Sequence, residues 1–196
     1  NTIAGGLGGD AMNGMGGIDT LTYEGSLAGV LVNLTTGAAG GGAAGDTFLN
    51  FENLTGSNGA DILIGNSAAN LILGLDGDDV MKGGLGIDTL DGGRGFDIAD
   101  YSDQTQRVTV ILNGSASVDV RLGFSGTIVE DHISNIEGII GSSGDDFLTG
   151  DNGNNYFKGM GGADTIAGAL GDDIVDFSDR TTAITVTLDK FGDGTA

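Results

Sequence analysis

A nine-residue pattern occurs eleven times in this chain of 196 residues, in uninterrupted blocks over residues 5–22, 56–100 and 141–176. Position 1 is glycine in every unit, and position 4 is glycine in all but one, where Ala68 stands. A repeat this short cannot bury an apolar face by itself, so its units must stack on one another. The pattern therefore predicts a repetitive, stacked architecture.

Each unit divides into a turn and a short strand. The first six residues are rich in glycine, which reaches backbone conformations that side chains forbid. In the last three residues position 8 is apolar in every unit, and the two-residue period of a strand points it inward while positions 7 and 9 point outward. A glycine-rich, acidic chain is often disordered, but a disordered linker has no reason to keep this order. We therefore predict an ordered core built from position 8.

The chain carries 28 acidic and 7 basic residues, and its formal net charge is −21. Such a surface repels nucleic acid, so a nucleic-acid partner is excluded. There is no cysteine, which excludes a disulfide scaffold. No apolar run approaches the roughly 18 residues of a transmembrane segment. The class of partner that the charge favours is a cation.

Position 6 is the column that carries this charge in the repeats. It is aspartate in nine units and asparagine in the other two. Carboxylate and amide oxygens are the ligands of hard divalent cations such as Ca²⁺. The candidate metal ligands at position 6 are Asp10, Asp19, Asp61, Asn70, Asp79, Asp88, Asp97, Asp146, Asn155, Asp164 and Asp173.

Together the columns give the pattern GGxGxDxUx, and the chain resembles the RTX (repeats-in-toxin) haemolysin-type calcium-binding family. The resemblance implies an all-β fold, a right-handed parallel β-roll (a β-solenoid) in which two units make one coil and residues 18 apart are stacked. It also implies Ca²⁺ between adjacent turns, held by two position-6 side chains and by backbone carbonyls. Position 2 departs from the family pattern, with glycine only at Gly6, Gly84 and Gly93. We expect this departure to loosen the turn.

Two glutamates extend the column beyond the strict motif. Glu52 and Glu137 each lie 18 residues before an asparagine of the column, namely Asn70 and Asn155. We interpret each glutamate as a longer acid that completes a metal site whose other side chain is neutral. Asn1 occupies position 6 of a cut-off unit and pairs with Asp19 in the same way. Counting the two glutamate pairs with the six position-6 pairs, Asn1–Asp19 included, gives about eight Ca²⁺ ions, which would reduce the net charge from −21 to about −5.

Longer segments separate the blocks and resemble one another. Residues 23–34 align without gaps with residues 101–112 and 177–188, and their alternating apolar residues predict a strand with one buried side. We therefore divide the chain into β-roll coils at 1–22, 56–100 and 141–176, and inserted strand segments at 23–55, 101–140 and 177–196, all in one continuous repeat domain. Because the chain begins and ends inside a repeat, we expect it to be a segment of a longer protein.

Position 7 should face outward, yet it is often apolar. The apolar residues there include Ile62, Leu71, Val80, Ile98, Phe147, Tyr156 and Ile174. A continuous apolar outer face often marks an interaction surface. We favour the interpretation that the inserted segments cover it.

No catalytic residue is predicted. His132 is the only histidine, which excludes a His₃ zinc site and the HExxH motif. No GxSxG sequence is present. Residues 40–45 fit GxGxxG, but a match is expected by chance in so glycine-rich a chain, and it lacks the strand–helix context of a dinucleotide site.

The resemblance implies a structural Ca²⁺-binding repeat region of a secreted or cell-surface bacterial protein of the surface-layer, adhesin or toxin type. Such a region would be exported by a type I system and would fold on calcium outside the cell. The protein contacts that we expect are self-association or contact with neighbouring repeats of the same protein. The alternative is the non-catalytic calcium module of a type I-secreted protease, lipase or alginate epimerase.

Overall fold

The computed structural model describes residues 1–181 together with Ala183 and Thr185, and this part of the chain consists of twenty short β-strands joined by turns. Over these residues no helix is long and apolar enough to cross a membrane. The third copy of the inserted strand, predicted around Ile184, Val186 and Leu188, lies outside the described residues.

Strands of successive coils pair in parallel, with residues 18 apart directly opposite one another. Thr2 pairs with Thr20, Ile62 with Val80, and Leu71 with Thr89. Alternate units lie in alternate sheets, so that two units complete one coil. This register confirms the predicted all-β parallel roll of two units per coil.

Two sheets form the walls of the roll, with a separate strand pair beside them. The first sheet has the order β1 (Thr2–Ala4), β3 (Thr20–Thr22), β7 (Asn53–Thr55), β9 (Leu71–Asp76), β11 (Asp88–Arg94), β15 (Ile128–Ser134), β14 (Val118–Leu122), β13 (Val108–Ile111), β17 (Phe147–Thr149) and β19 (Thr165–Ala167). The second sheet has the order β20 (Ile174–Val175), β18 (Tyr156–Lys158), β16 (Gly138–Ile140), β12 (Ile98–Asp100), β10 (Val80–Lys82), β8 (Ile62–Ile64), β4 (Val30–Asn33) and β5 (Ala38–Gly41). The pair is β2 (Ala11–Asn13) with β6 (Thr47–Leu49).

The core is the predicted column of position-8 side chains, which meet between the two sheets. Leu63, Ile72, Met81, Ala99 and Phe157 are fully buried. Each large side chain of this kind contributes about 1.5–3 kcal/mol on burial, and the coils have little other apolar surface to bury. The last position-8 residue of the blocks, Val175, is 38% exposed because it lies in the edge strand β20.

The inserted segments add strands to the sheets. In the first insert, β4 pairs in parallel with β8 and its hairpin partner β5 runs antiparallel, both in the second sheet. In the second insert, β14 runs antiparallel between β13 and β15 in the first sheet. The inserts fall in opposite sheets because five units separate them, and an odd number of units changes the sheet.

The inserts leave four of the seven apolar position-7 side chains exposed, so the interpretation that they cover this face is wrong for those four. Ile62, Leu71, Phe147 and Ile174 remain 43%, 39%, 40% and 60% exposed. Val80, Ile98 and Tyr156 are half-buried. The insert strands hydrogen-bond to strand edges within the sheets, and this edge pairing lengthens the sheets without crossing their outer faces.

Candidate metal centre

A carboxylate ladder runs along each side of the roll. The backbone N–H of Asp61 donates to Asp79 Oδ1 of the next coil, at 2.8 Å. Equivalent bonds of 2.8–3.0 Å join Asn70 to Asp88, Asp79 to Asp97, Asp146 to Asp164, and Asn155 to Asp173. The structure thus places the residues that the 18-residue spacing pairs next to one another, with the backbone N–H of one against the side chain of the other.

These bonds satisfy one oxygen of each carboxylate and leave the other without a partner in several turns. Among the described residues, Oδ2 of Asp19, Asp79, Asp88 and Asp97 is buried and accepts no hydrogen bond. A buried, unpaired carboxylate oxygen is costly unless a cation or a proton neutralises it. Burial and then the charges of Asp61 and Asp97 raise the pKa of Asp79 to about 7. Burial and then Asp131 raise the pKa of Asp88 to about 7.

Glycine at position 1 keeps the space beside these oxygens free of side chain. A Cβ on Gly74 would stand 2.5 Å from the Gly92 carbonyl oxygen and closer still to Asp79 Oδ2. That point is therefore bordered by a carboxylate oxygen of one coil and a backbone carbonyl oxygen of the next. The same combination borders Gly56, where Asp61 Oδ2 and the Gly74 carbonyl oxygen would meet a Cβ.

The eleven turns are of two kinds. In seven, which we call the left-handed turns, positions 2 and 4 both have positive φ. Position 2 of these turns includes Met15, Leu75, Met160 and Ala169, with φ of 59–85°. The expectation that a side chain at position 2 loosens the turn does not hold at these four positions, because the residues keep the glycine conformation despite a cost of about 1–2 kcal/mol each.

The other four, which we call the polar turns, have a polar residue at position 2 and no positive φ at positions 2 or 4. They are the first two units after each insert, with Ser57, Asn66, Ser142 and Asp151 at position 2. The N–H of each donates to the position-6 side chain of the same turn, at 2.6–2.9 Å. The side chain of each accepts the position-4 N–H at 2.7–3.0 Å. A short polar residue at position 2 was the sequence signal that could have distinguished these turns.

The polar turns satisfy their position-6 side chains from within the protein. Asp61 accepts hydrogen bonds from the N–H of Val30 and from the Ser57 hydroxyl on Oδ1, and from the Ser57 N–H on Oδ2. Asp146 makes the same set of bonds with Val108 and Ser142. The amides of Asn70 and Asn155 donate to the backbone carbonyls of Glu52 and Glu137.

Glu52 and Glu137 extend the ladders, but their carboxylates do not face Asn70 and Asn155 as we interpreted from the spacing. The carboxylate of Glu52 accepts the Asp19 N–H at 2.9 Å, and the carboxylate of Glu137 accepts the Asp97 N–H at 2.9 Å. Each glutamate side chain therefore faces the acid of the preceding coil, and only its backbone carbonyl faces the asparagine. The spacing of 18 placed the residues correctly but could not give the direction of the side chain.

Two ligand-type residues escaped the sequence reasoning. Asp46 and Asp131 are 5% and 2% exposed and accept the N–H of Asp10 and Asp88 at 2.8 and 2.9 Å. They occupy matching places in the two inserts, and this alignment was the available signal. They were missed because they lie 36 and 43 residues from their partners, outside the 18-residue register.

Near the ends of the described chain, the remaining candidate ligands each have a different hydrogen-bond partner. The Asn1 side chain donates to Asp19 Oδ1 at 2.7 Å, which places Asn1 in the ladder. Asp164 Oδ2 accepts a hydrogen bond from Arg180 at 2.9 Å. Asp173 is half-buried, and its Oδ1 accepts the Asn155 N–H.

The available ligand atoms are carboxylate and backbone carbonyl oxygens. They suit Ca²⁺ better than they suit a metal ion that is bound by a cluster of side chains. Within residues 1–181, no three or more Asp, Glu or His side chains converge on one point. Each ladder step offers two carboxylates at most, so the six to eight oxygens that Ca²⁺ takes must come largely from backbone carbonyls. The buried unpaired oxygens and the carbonyls beside position 1 supply that chemistry.

Comparison with known families agrees with this geometry. Residues 55–90, 64–99 and 140–175 match the family described as RTX calcium-binding nonapeptide repeat (4 copies). These coils belong to the RTX repeat family. RTX repeats bind Ca²⁺, and the family is typically a non-catalytic structural repeat. No curated protein matches the chain.

The raised pKa values of the ladder aspartates predict that the stability of the metal-free coils depends on pH. Because the folded-state pKa of Asp79 and Asp88 lies above the usual value near 4, protonation stabilises the metal-free fold. That stabilisation is complete below about pH 4 and is lost as the pH rises through about 7. We expect the β-sheet circular dichroism of chelated protein to increase from pH 8 to pH 5.5, and calcium affinity to fall over the same range. A chelated protein whose spectrum is constant with pH, in the wild type and in an Asp79→Asn, Asp88→Asn variant alike, contradicts this account.

Proposed function

We propose that this chain is a structural repeat region of a secreted or cell-surface bacterial protein and that it folds when calcium binds outside the cell. The observation that supports this most directly is the set of buried carboxylate oxygens without partners at Asp19, Asp79, Asp88 and Asp97. With a net charge of −21, the metal-free chain repels itself, and cations bound along the ladders relieve that repulsion.

Calcium binding can account energetically for folding. Extracellular calcium modules have dissociation constants of about 10⁻⁴–10⁻³ M, so a calcium-poor cell interior leaves such sites unloaded. A site at tenfold its dissociation constant contributes about 1.4 kcal/mol by mass action. Several such sites together equal a large part of the about 5–15 kcal/mol stability of an ordinary domain.

A ladder step runs from the position-6 residue whose backbone N–H donates to the residue whose carboxylate accepts. We place the ions at the steps whose donor residue lies in a left-handed turn. The polar turns satisfy their own position-6 oxygens and have no need of a cation. This rule gives five sites within the described residues, where spacing alone suggested about eight for the chain. The five steps are Asp10–Asp46, Asp19–Glu52, Asp79–Asp97, Asp88–Asp131 and Asp97–Glu137.

Among extracellular roles, we propose a surface-layer, adhesin or toxin-type protein exported by a type I system. The repetition of coil blocks and inserts, both of which lengthen the same two sheets, suits an extended structural element. Self-association and contact with neighbouring repeats of the same protein remain predictions.

The test is folding with and without calcium, beside a count of bound metal. In chelator we expect the β-sheet circular dichroism to be lost at pH 8, and in millimolar Ca²⁺ to return with several ions bound per chain. Mg²⁺ at the same concentration is the control, because its octahedral preference suits carbonyl-rich sites poorly. A chelated protein that keeps its full β-sheet signal at pH 8, or a calcium-treated protein that binds no ions, contradicts the proposal.

A further inference from the structure

We propose that residues 46–52 and 131–137, which we call the return segments, are calcium-binding segments outside the nonapeptide motif. Their sequences are DTFLNFE and DHISNIE, and in each an aspartate and a glutamate six residues apart complete two separate ion sites. The partners are the last two nonapeptide turns before the insert. This inference rests on the proposed calcium-folded function and specifies where four of its ions lie.

The contacts of the two return segments are the same. The aspartates, Asp46 and Asp131, accept the N–H of the position-6 residue at 2.8 and 2.9 Å. The glutamates accept the N–H of the next position-6 residue, both at 2.9 Å. The agreement holds although the inserts add strands to opposite sheets, so it follows from the return segments themselves and not from the neighbouring hairpins.

Within the described part of the chain, the turns that face the return segments hold three of the four buried position-6 oxygens that have no partner. Asp19, Asp88 and Asp97 are 0–1% exposed, and Oδ2 of each lacks a hydrogen-bond partner. Each of these residues also donates its N–H to a return-segment carboxylate. A second acid beside an unpaired carboxylate oxygen is repulsive unless a divalent cation lies between them.

A tyrosine occupies the same place in each insert, at the start of the segment that leads to the return segment. The Tyr23 hydroxyl donates to Asp46 Oδ2 at 2.8 Å. Tyr101 occupies the matching place in the second insert, where it is 3% exposed and its hydroxyl has no hydrogen-bond partner. We assign Tyr101 as the positioning residue for Asp131.

Calcium at these steps ties each insert to the coils before it. Four of the five steps that begin on a left-handed turn end on a return segment, and only Asp79–Asp97 lies within a nonapeptide block. The inserts are therefore part of the calcium-binding structure and not passive spacers.

The test is the double variant Asp131→Asn, Glu137→Gln, which keeps acceptors for the two ladder N–H groups but removes both charges. We expect two fewer bound ions by equilibrium dialysis, and faster hydrogen exchange in β13 to β15 at saturating calcium. The matched control is Glu24→Gln, Asp103→Asn, which removes two charges from exposed positions and should keep the full count.

The outcomes separate this inference from the proposed function. A wild-type chain that binds several ions together with a double variant that binds the same number overturns the inference alone. A wild-type chain that binds none overturns both.

Tyr101→Phe supplies a second readout. If the hydroxyl positions Asp131, its removal should weaken one site about tenfold, as loss of an orienting partner commonly does. A buried hydroxyl that positions nothing is only a desolvation cost, so its removal would leave the calcium affinity unchanged and make the fold more stable. That result counts against a positioning role for Tyr101.

Discussion

Gly74→Ala is expected to destabilise the calcium-loaded protein by about 3 kcal/mol, the upper part of the range for overpacking a tight interior. The added methyl group would lie 2.5 Å from the Gly92 carbonyl oxygen and against Asp79 Oδ2. Neither neighbour can move easily, because one is the backbone of the next coil and the other is held in the ladder by the Asp61 N–H. The same methyl group takes up the space between two candidate ligand oxygens, so we also expect one fewer bound ion.

The measurement is the free energy of urea unfolding at saturating calcium, together with the ion count. Gly16→Ala is the matched control, since a Cβ added at Gly16 would have no other atom within 4 Å and its φ is not in the left-handed region. Its stability should change by less than about 0.5 kcal/mol. Equal effects of the two substitutions would show that position 1 has no special packing role.

Asp97→Asn is expected to remove two ions, Asp79→Asn one and Asp61→Asn none. Asp97 belongs to the step from Asp79 and to the step toward Glu137, and both begin on left-handed turns. Asp61 lies in a polar turn, where Ser57 satisfies its carboxylate. At tenfold saturation, two lost ions correspond to about 3 kcal/mol of stability.

Spacing alone gives a different order, because Asp79 has an acid 18 residues away on both sides and would contact two ions. Ion counts for the three variants by equilibrium dialysis therefore decide between spacing and turn conformation. A loss of two ions in Asp79→Asn, or of one in Asp61→Asn, would show that the polar turns bind calcium after all.

Most of the regular architecture could be predicted from the residue pattern. The apolar column at position 8 predicted the core, and Leu63, Ile72 and Phe157 are fully buried there. The stacking of residues 18 apart followed from the family resemblance, and the strand register confirms it. Both features follow from a constant number of residues per coil, which a single sequence displays directly.

The structure corrected the sequence reasoning at the turns and at the sheet surfaces. Leu75 and Met160 hold a left-handed φ that we expected only of glycine. Ile62 and Phe147 stay exposed, because insert strands join the sheets by edge pairing. Neither result follows from apolar patterning. The pattern gives the direction in which a side chain points, but it gives neither the backbone conformation of a turn nor what covers an outward side chain.

The nine-residue period by itself determined that this chain forms stacked units with an apolar column and a carboxylate column, because each unit repeats the same local geometry. Only the tertiary structure decided that Asp46 and Asp131 continue the ladders, and in which direction Glu52 and Glu137 face. The partners of these four acids lie 33 to 43 residues away across inserts of different lengths. An insert has no period, so its register against the coils is fixed by long-range hydrogen bonds that no local pattern encodes.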